Sequence, residues 1–418
     1  MRPSLPQLRE LLTAPARALL DAASNESDEA AVPLWLVGGA VRDLALGRTA
    51  HDLDLALAED TARFAARVVA RLRGVGYGDV EADVEPRFGT ASVRLSVGSA
   101  LVRLDLARLR SERYVAPGAL PTVEFTNDLG ADLARRDFSV NAMALGLAGG
   151  VADVLVDPFE GLVDLGAQRL RVLHARSFED DATRLWRGAR TAAVFDLAPD
   201  AATARLIADG TGYLDTISGE RISAEMSFTA RRGRAGRTLA LAETWGVLRG
   251  THPALRLDAA TVRALRHRPG PLPVEVFMAV LLAPLPERAG ILQRLAVSRV
   301  IATTVEQTAR LLASAVGGAT SPGVLATLAG TSEAARTAAR WLGPESQPAL
   351  QRDLARWERT RPILDAAALM RLGVPQGPPL GAALDGLRRA RYLGTLVTRA
   401  EAEREVRRVI AAGGDAGW

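Results

Sequence analysis

Between residue 34 and about residue 145 the chain alternates between the two-residue period of a strand and the 3.6-residue period of a helix. PLWLVGG is continuously apolar and predicts a strand, AVRDLALG a short helix, and AHDLDLALA, with strict alternation, a second strand. DTARFAARVVARLRG predicts an amphipathic helix opening on Asp60. ASVRLSV and ALVRLDLAR predict further strands. After Leu145 the pattern changes. Beyond GLVDLGAQRLRVL it is mostly helical, broken by Gly and Pro near Gly250 and at RPGPLP, GATSPG, GPESQP and GVPQGPP. The outline is an α/β head followed by a long helical body.

The alternation in AHDLDLALA raises a chemical question. Residues i and i+2 of a strand share a face, so Asp52 and Asp54 point one way and Leu53 and Leu55 the other. Two carboxylates held side by side repel each other and resist burial, and a hard cation such as Mg²⁺ removes both penalties. Two solvated aspartates on an exposed face are the alternative. Gly38 and Gly39 end the preceding strand and open a helix, where bare backbone and a helix N-terminus suit a phosphate; they are also ordinary turn residues. Arg42 fits either phosphate binding or pairing with Asp43. Asp105, in VRLDLARLR, is placed to join the acid pair across the sheet, or else to be a lone acid on an edge strand.

Composition narrows the setting. Without cysteine the chain has no disulfide, no thiolate metal site and no thiol nucleophile. All 52 basic residues are arginine and the formal charge is +4. Arginine stays charged and its planar fork suits phosphates, so the excess favours a polyanionic partner without requiring one. MRPSLPQLRELL lacks the apolar core of a signal peptide, and charges interrupt every apolar run that approaches a membrane span. A cytoplasmic chain with no membrane association is expected.

The motifs, taken in order, resemble those of class II CCA-adding tRNA nucleotidyltransferases and their poly(A) polymerase relatives. LVGGAVRDLALG with HDLDLAL is similar to that family's first motif, and RFGTASVRL follows at the expected place. RSERYVAPGALPTVEF resembles its flexible loop, and DLARRDFSVNAMAL its ribose-selecting motif. VDPFEGLVDLGAQRLRVL resembles the head-to-neck connector, SFEDDATRLWRGAR the base-reading helix, SGERISAE the motif closing the neck, and the segment from LGVPQGPP to EREVRR the C-terminal part. Residues 250–365 contribute little to the resemblance. Asp180 stands where the family has Glu, Ala182 where it often has Pro, and Glu160 where it has a second Gly.

The resemblance implies an α+β fold: a polymerase-β-type head over 1–145, then an all-helical neck (146–228), body (229–330) and tail (331–418), the tail binding tRNA. It implies addition of C, C and A to the tRNA 3′ end from CTP and ATP, with Mg²⁺ as cofactor, two ions being expected. Asp52 and Asp54 become the metal ligands, and Asp105 matches the third catalytic acid. Gly38, Gly39 and Arg42, with Arg136, Asp137 and Asn141, become nucleotide-binding residues. Asp181 and Arg184 match the acid and base of an E-D-x-x-R motif that serves as an amino-acid template for the incoming base. Placed on one helix at i and i+3, they would share a face. Arg187 and Arg190 follow on that helix as nucleotide-binding residues, Arg187 being expected to leave base choice largely unchanged. Arg110, Glu112 and Tyr114 belong to the flexible loop. Its intact span from Arg110 to Pro121 argues against CC-only addition, for which family members have a shortened loop. The partners implied are tRNA, through its acceptor stem and 3′ end, and the two nucleotides; no protein partner is evident. A-adding, CC-adding and poly(A)-adding enzymes are the near alternatives. A non-catalytic RNA-binding scaffold and a transferase acting on small molecules are the distant ones.

Overall fold

A computed structural model describes residues 2–48, 53–316, 328, 330–343 and 348–411. The chain divides into two compact units, 1–218 with 244–251, and 219–243 with 252–418.

The first unit is built on a sheet of seven strands. They are β1 (Leu34–Val37), β2 (Leu53–Leu57), β3 (Val80–Glu85), β4 (Thr90–Val97), β5 (Ala100–Arg108), β8 (Ala144–Ala148) and β9 (Leu155–Val156), in the order β3-β4-β5-β2-β1-β8-β9. Only β2 and β5 run parallel. The strands expected at 34, 53, 91 and 100 all form. The sheet also continues past residue 145, because β8 pairs along β1 and β9 along β8. β3 escaped the sequence reading: of its six residues only Val80 is buried, which gives an edge strand of acids no apolar signature.

Period-two alternation sorts the sheet's side chains onto two faces. Leu34, Leu36, Leu53, Leu55, Leu57, Val93, Leu95, Leu104, Leu106 and Leu145 form one, packed with α1 (Leu5–Leu11), α2 (Ala14–Ala30) and α4 (Thr61–Gly74) in the main core. Each large apolar side chain buried there contributes about 1.5–3 kcal/mol. Asp60 caps α4 by accepting the Arg63 N–H at 2.9 Å, as its position predicts. Glu26 of α2 ties the two long helices together, accepting Arg67 Nε at 3.1 Å and Arg71 Nε at 2.6 Å. The other face is divided. Trp35, Val37, Ala56 and Ala144 bury against Leu109, Leu133 and Phe159, whereas its β2-β5-β4-β3 half carries Asp54, Asp105, Ser92 and Asp83 in one cross-strand row.

The segment expected as a loop from Arg110 to Pro121 begins as a strand. β6 (Arg110–Arg113) and β7 (Thr122–Phe125) pair antiparallel as a separate hairpin, with residues 114–121 joining them. Gly118, at φ +74°, lies against Thr216, leaving no room for a Cβ. Helices α3 (Gly39–Ala45), α5 (Leu129–Ala134), α6 (Gly161–Gly166), α7 (Ser177–Asp180) and α8 (Thr183–Phe195) carry the remaining motifs. Glu160 precedes α6 in the left-handed region, φ +55°.

The second unit is helical, from Gly219–Arg231 to Arg399–Ala411. Its helices start where the sequence supplies caps: Asp258, Ser332 and Asp365 accept the N–H groups of Ala260, Ala335 and Ala368. The helix Val274–Leu282 is buried from Val276 onward. Nearer the C-terminus, Trp357 meets Tyr392 edge-on with centroids 5.6 Å apart. No helix among the described residues is long and apolar enough to cross a membrane.

Candidate active site

The turn between β1 and α3 sets the geometry. Gly38 has φ +71° and ψ −134°, and its N–H donates to the Met143 carbonyl at 3.1 Å. A Cβ there would lie 2.7 Å from Arg136 Nη1, and one on Gly39 3.1 Å from Arg42 Nη2. The glycines thus let two guanidinium groups press against bare backbone. Arg42 donates from Nε and Nη2 to Asp43 Oδ1 at 3.0 and 2.9 Å, and from Nη1 to Asn141 Oδ1. It also lies 3.8 Å over the ring of Phe195. Pairing with Asp43, one of the two roles open to Arg42, is therefore present.

The candidate acids come from two adjacent strands. The parallel register sets Asp54 of β2 directly beside Asp105 of β5. β5 is interior to the sheet, so Asp105 is not a lone acid on an edge. Asp54 is exposed. Asp105 is half-buried and takes two bonds on Oδ1, from the Ser92 hydroxyl and, at 2.7 Å, from Arg103 Nε. Asp52 lies outside the described residues. Among those described, no three His, Cys, Asp or Glu side chains gather closely enough to hold a metal ion; Asp54 and Asp105 are the two described carboxylates that the register sets directly side by side.

The segment RRDFSVNA folds into a buried polar chain. Asn141 Nδ2 donates to Asp137 Oδ1 at 3.0 Å, and Arg187 donates from Nε and Nη2 to Asp137 Oδ2, both at 2.8 Å. Asp137 is only 4 % exposed. Burial alone would raise its pKa. The Arg187 charge, hydrogen bonds from Asn141 and Arg187, and the nearby Arg184 outweigh that and hold the carboxyl well below the usual range. With Arg42 bonded to Asn141, four side chains link the glycine turn to α8: Arg42, Asn141, Asp137 and Arg187. Arg136 is fixed by Asp132, whose Oδ2 lies 2.8 Å from Nη2, while Asp132 Oδ1 accepts Arg135. Asp132 was missed in the sequence, although its i+3 and i+4 spacing to Arg135 and Arg136 was a readable signal. Ser92 had the alternation of RFGTASVRL as its signal. Nothing local marked Phe195.

The two candidate base readers do not share a helix. α7 ends at Asp180, and Asp181 is extended at φ −145°. Its Oδ1 accepts the Thr183 N–H at 3.0 Å and the Thr183 hydroxyl at 2.7 Å. An aspartate readily makes this local i to i+2 bond to backbone in place of joining a helix, and here Asp181 ends α7 one residue before the Ala182 N-cap of α8, so the expected i,i+3 face is replaced by a junction. Arg184, in the first turn of α8, is 4 % exposed. Its Nη1 donates to Ser177 Oγ at 2.9 Å and its Nη2 to the Arg135 carbonyl at 2.7 Å. Tyr114 of the hairpin is held toward the pair, donating to Glu112 Oε2 at 3.0 Å. Burial, then the Glu112 carboxylate, raises its pKa, with Arg184 opposing and Asp181 adding to the rise. Glu112 also accepts Arg110 Nε and Arg135 Nη1, each at 3.0 Å. Arg190 is half-buried farther along α8. His174, 3.5 Å from Arg184 Nη1, has its pKa lowered by burial and then by the Arg184 charge.

Carboxylates on an open sheet face, beside a glycine turn lined with guanidinium groups, suit a hard cation and a polyphosphate. Residues 34–171 match the family model of the poly(A) polymerase head domain. The A-adding tRNA nucleotidyltransferase of Geobacter sulfurreducens is 34 % identical over 256 residues, 61 % of this chain and 28 % of that protein. The A-adding enzyme of Halalkalibacterium halodurans is 40 % identical over 46 % of this chain and 44 % of its own length. The chain thus spans less than half the length of these two relatives. The CC-adding tRNA nucleotidyltransferase of Deinococcus radiodurans is 31 % identical over 382 residues, 91 % of this chain and 90 % of that protein. Among solved structures, an apo CCA-adding enzyme superposes with a TM-score of 0.71 at 22 % identity over 98 % of this chain and 99 % of that one. The Thermotoga maritima CCA-adding enzyme, solved with tRNA, gives 0.66 at 23 % over 98 % of each. These two likenesses establish the fold, a polymerase-β-type head followed by helices. The match along nine-tenths of both sequences establishes more: the chain belongs to the tRNA nucleotidyltransferase family.

Proposed function

We propose that the protein adds C, C and A to the 3′ end of tRNA from CTP and ATP, with no nucleic-acid template, in the cytoplasm. The observation that carries this is the register that sets Asp54 beside Asp105 on the open sheet face of a chain similar along most of its length to a tRNA nucleotidyltransferase. The donor set fits Mg²⁺: hard carboxylate oxygens on neighbouring strands, accessible to solvent. Asp54 and Asp105, with Asp52 from the same motif, would hold it. When bound, Mg²⁺ neutralises charge on the triphosphate and on the attacking oxygen. The 3′ oxygen of the RNA forms a bond to the α-phosphorus, the bond to the bridging oxygen breaks, pyrophosphate leaves, and the hydroxyl proton is given up. The chain's own part is positioning and electrostatics. Arg136 and Arg42, pressed against the glycine turn, face the triphosphate. Asp137 and Asn141 fix the sugar pocket, and Arg187 and Arg190 line it. Arg184 reads the base: its guanidinium plane is fixed by Ser177 and the Arg135 carbonyl, and its five donors exceed what those partners take. With the Asp181 carboxylate as acceptor it matches C and A, which both carry an exocyclic amine beside a ring acceptor. U and G present the reverse.

A second reading is CC addition only. The relative matched along most of its length carries that name, while A-adding relatives match over shorter stretches. The paired hairpin at β6 and β7 supports the fuller product. Incubating tRNA lacking its end, ending in C, and ending in CC with each single nucleotide separates the readings by product length. Extension of the end-lacking tRNA by CTP together with extension of the CC-ending tRNA by ATP supports CCA addition, whereas extension of the CC-ending tRNA alone marks an A-adding enzyme and refutes it. Arrest at CC establishes the second reading, and no extension of any substrate refutes both.

A further inference from the structure

Asp54, Asp105 and Ser92 form one cross-strand row, on β2, β5 and β4. Two donors of different kinds meet on Asp105 Oδ1, the Ser92 hydroxyl and Arg103 Nε. Neither bonds Oδ2. Arg103 lies two residues along the same strand, hence on the same face. Its side chain is 58 % exposed against 28 % for Asp105.

The two donors respond oppositely to a cation. The serine hydroxyl is neutral and short. It fixes the rotation of the carboxylate and does not repel a dication. The arginine carries a permanent charge, which opposes a dication bound to the same carboxylate. Because it is exposed, water can replace Asp105 as its partner, so its departure costs little. We propose that Ser92 and Arg103 are positioning residues for Asp105: Ser92 sets the plane of the carboxylate, and Arg103 is a counter-ion that a divalent cation displaces. This rests on the reading of Asp54 and Asp105 as metal-side acids. It offsets the charge of Asp105 in the nucleotide-free enzyme and lets the cation exchange for a guanidinium already in place.

The test is Mn²⁺ binding to the full chain without nucleotide or RNA, read from the electron paramagnetic resonance signal of free Mn²⁺. Ser92→Ala should bind about tenfold more weakly, and Ser92→Thr, which keeps the hydroxyl, should recover the affinity. Arg103→Ala should bind about two- to five-fold more tightly, and Arg103→Lys, which keeps the charge, should stay near the parent. The Mg²⁺ concentration giving half-maximal nucleotide addition should move in the same directions. Unchanged affinity in a Ser92→Ala protein that melts like the parent overturns the proposal, as does weaker binding in Arg103→Ala. Asp105→Asn separates the two levels. If it binds Mn²⁺ and turns over like the parent, the metal-side role of Asp105 fails and the proposal with it. If it loses Mn²⁺ while Ser92→Ala and Arg103→Ala match the parent, that role stands and this proposal alone falls.

Discussion

Replacing Arg187 with Met should destabilise the first unit much more than replacing its partner, Asp137, with Asn. The asymmetry comes from burial. The Asp137 side chain is 4 % exposed and that of Arg187 43 %. Stripping the partner from a buried charge costs about 3–5 kcal/mol. Here the Phe138 N–H and the Asn141 amide still serve Asp137 Oδ1, at 2.9 and 3.0 Å, Arg184 still lends charge, and the half-exposed Arg187 was itself partly screened. The expected cost of Arg187→Met is therefore about 2–3 kcal/mol. Asp137→Asn removes the buried charge and keeps an acceptor, and Arg187 can turn to water, so about 1 kcal/mol is expected. The double variant should resemble Asp137→Asn alone, which makes the coupling about 2 kcal/mol. Urea unfolding followed by tryptophan fluorescence suits the measurement, because Trp186 is fully buried in the same helix as Arg187. The sign with pH is fixed too. The folded pKa of Asp137 is depressed, so its stabilisation is complete above the unfolded value, about 4, and is lost as pH falls from there toward the folded pKa. The gap between parent and Arg187→Met should narrow below about pH 4. Single costs that add to within about 0.5 kcal/mol in the double variant would refute the argument.

Asp54→Asn should abolish nucleotide addition while tRNA binding in a filter assay stays near that of the parent; near-normal turnover would remove Asp54 from the site. Arg184→Ala should relax exclusion of UTP and GTP by about tenfold or more, from the loss of charged hydrogen bonds. A uniform loss with all four nucleotides would make Arg184 a structural residue held by Ser177 and Arg135. Gly38→Ala should cost about 1–3 kcal/mol and raise the KM for both nucleotides, because the new Cβ displaces Arg136 from φ +71° backbone; an unchanged KM would separate that arginine from the triphosphate.

Much of the sheet was legible because its inward faces are purely apolar: Leu53, Leu55, Leu104 and Leu106 announce β2 and β5 by alternation alone. What alternation cannot give is the pairing. That Asp105 stands beside Asp54, and Ser92 beside Asp105, depends on which strands neighbour one another, a non-local choice made by the two-sided core. α1 and α2 were left unassigned although Leu8, Leu12, Leu19 and Leu20 are buried against the sheet, since spacing without a partner surface does not reveal what a helix covers. The residues of the polar chain were readable as types in RRDFSVNA, but not as a chain. The hold of Arg187 on Asp137 was equally out of reach of the sequence, because the two residues lie 50 positions apart on different elements. The one-helix placement of Asp181 and Arg184 failed for a local reason, since the spacing rule presumes helix on both sides and Asp181 is an extended residue between two helices.

The chain from Arg42 through Asn141 to Asp137 also constrains the order in which this protein can change. Asn141 is held in one orientation, its carbonyl taken by Arg42 and its amine given to Asp137. The single-base path from Asn to Asp would set a second carboxylate against a buried one, and Gln would overreach both partners by a methylene. An acid at position 141 therefore becomes tolerable once position 137 has lost its charge, and that first step leaves Arg187 to be reassigned. A lineage or a library seeking to replace this polar chain by way of Asp or Gln at 141 must begin at the carboxylate end. Asp or Gln sampled alone at 141 will look forbidden even where the same residue is accepted after the change at 137.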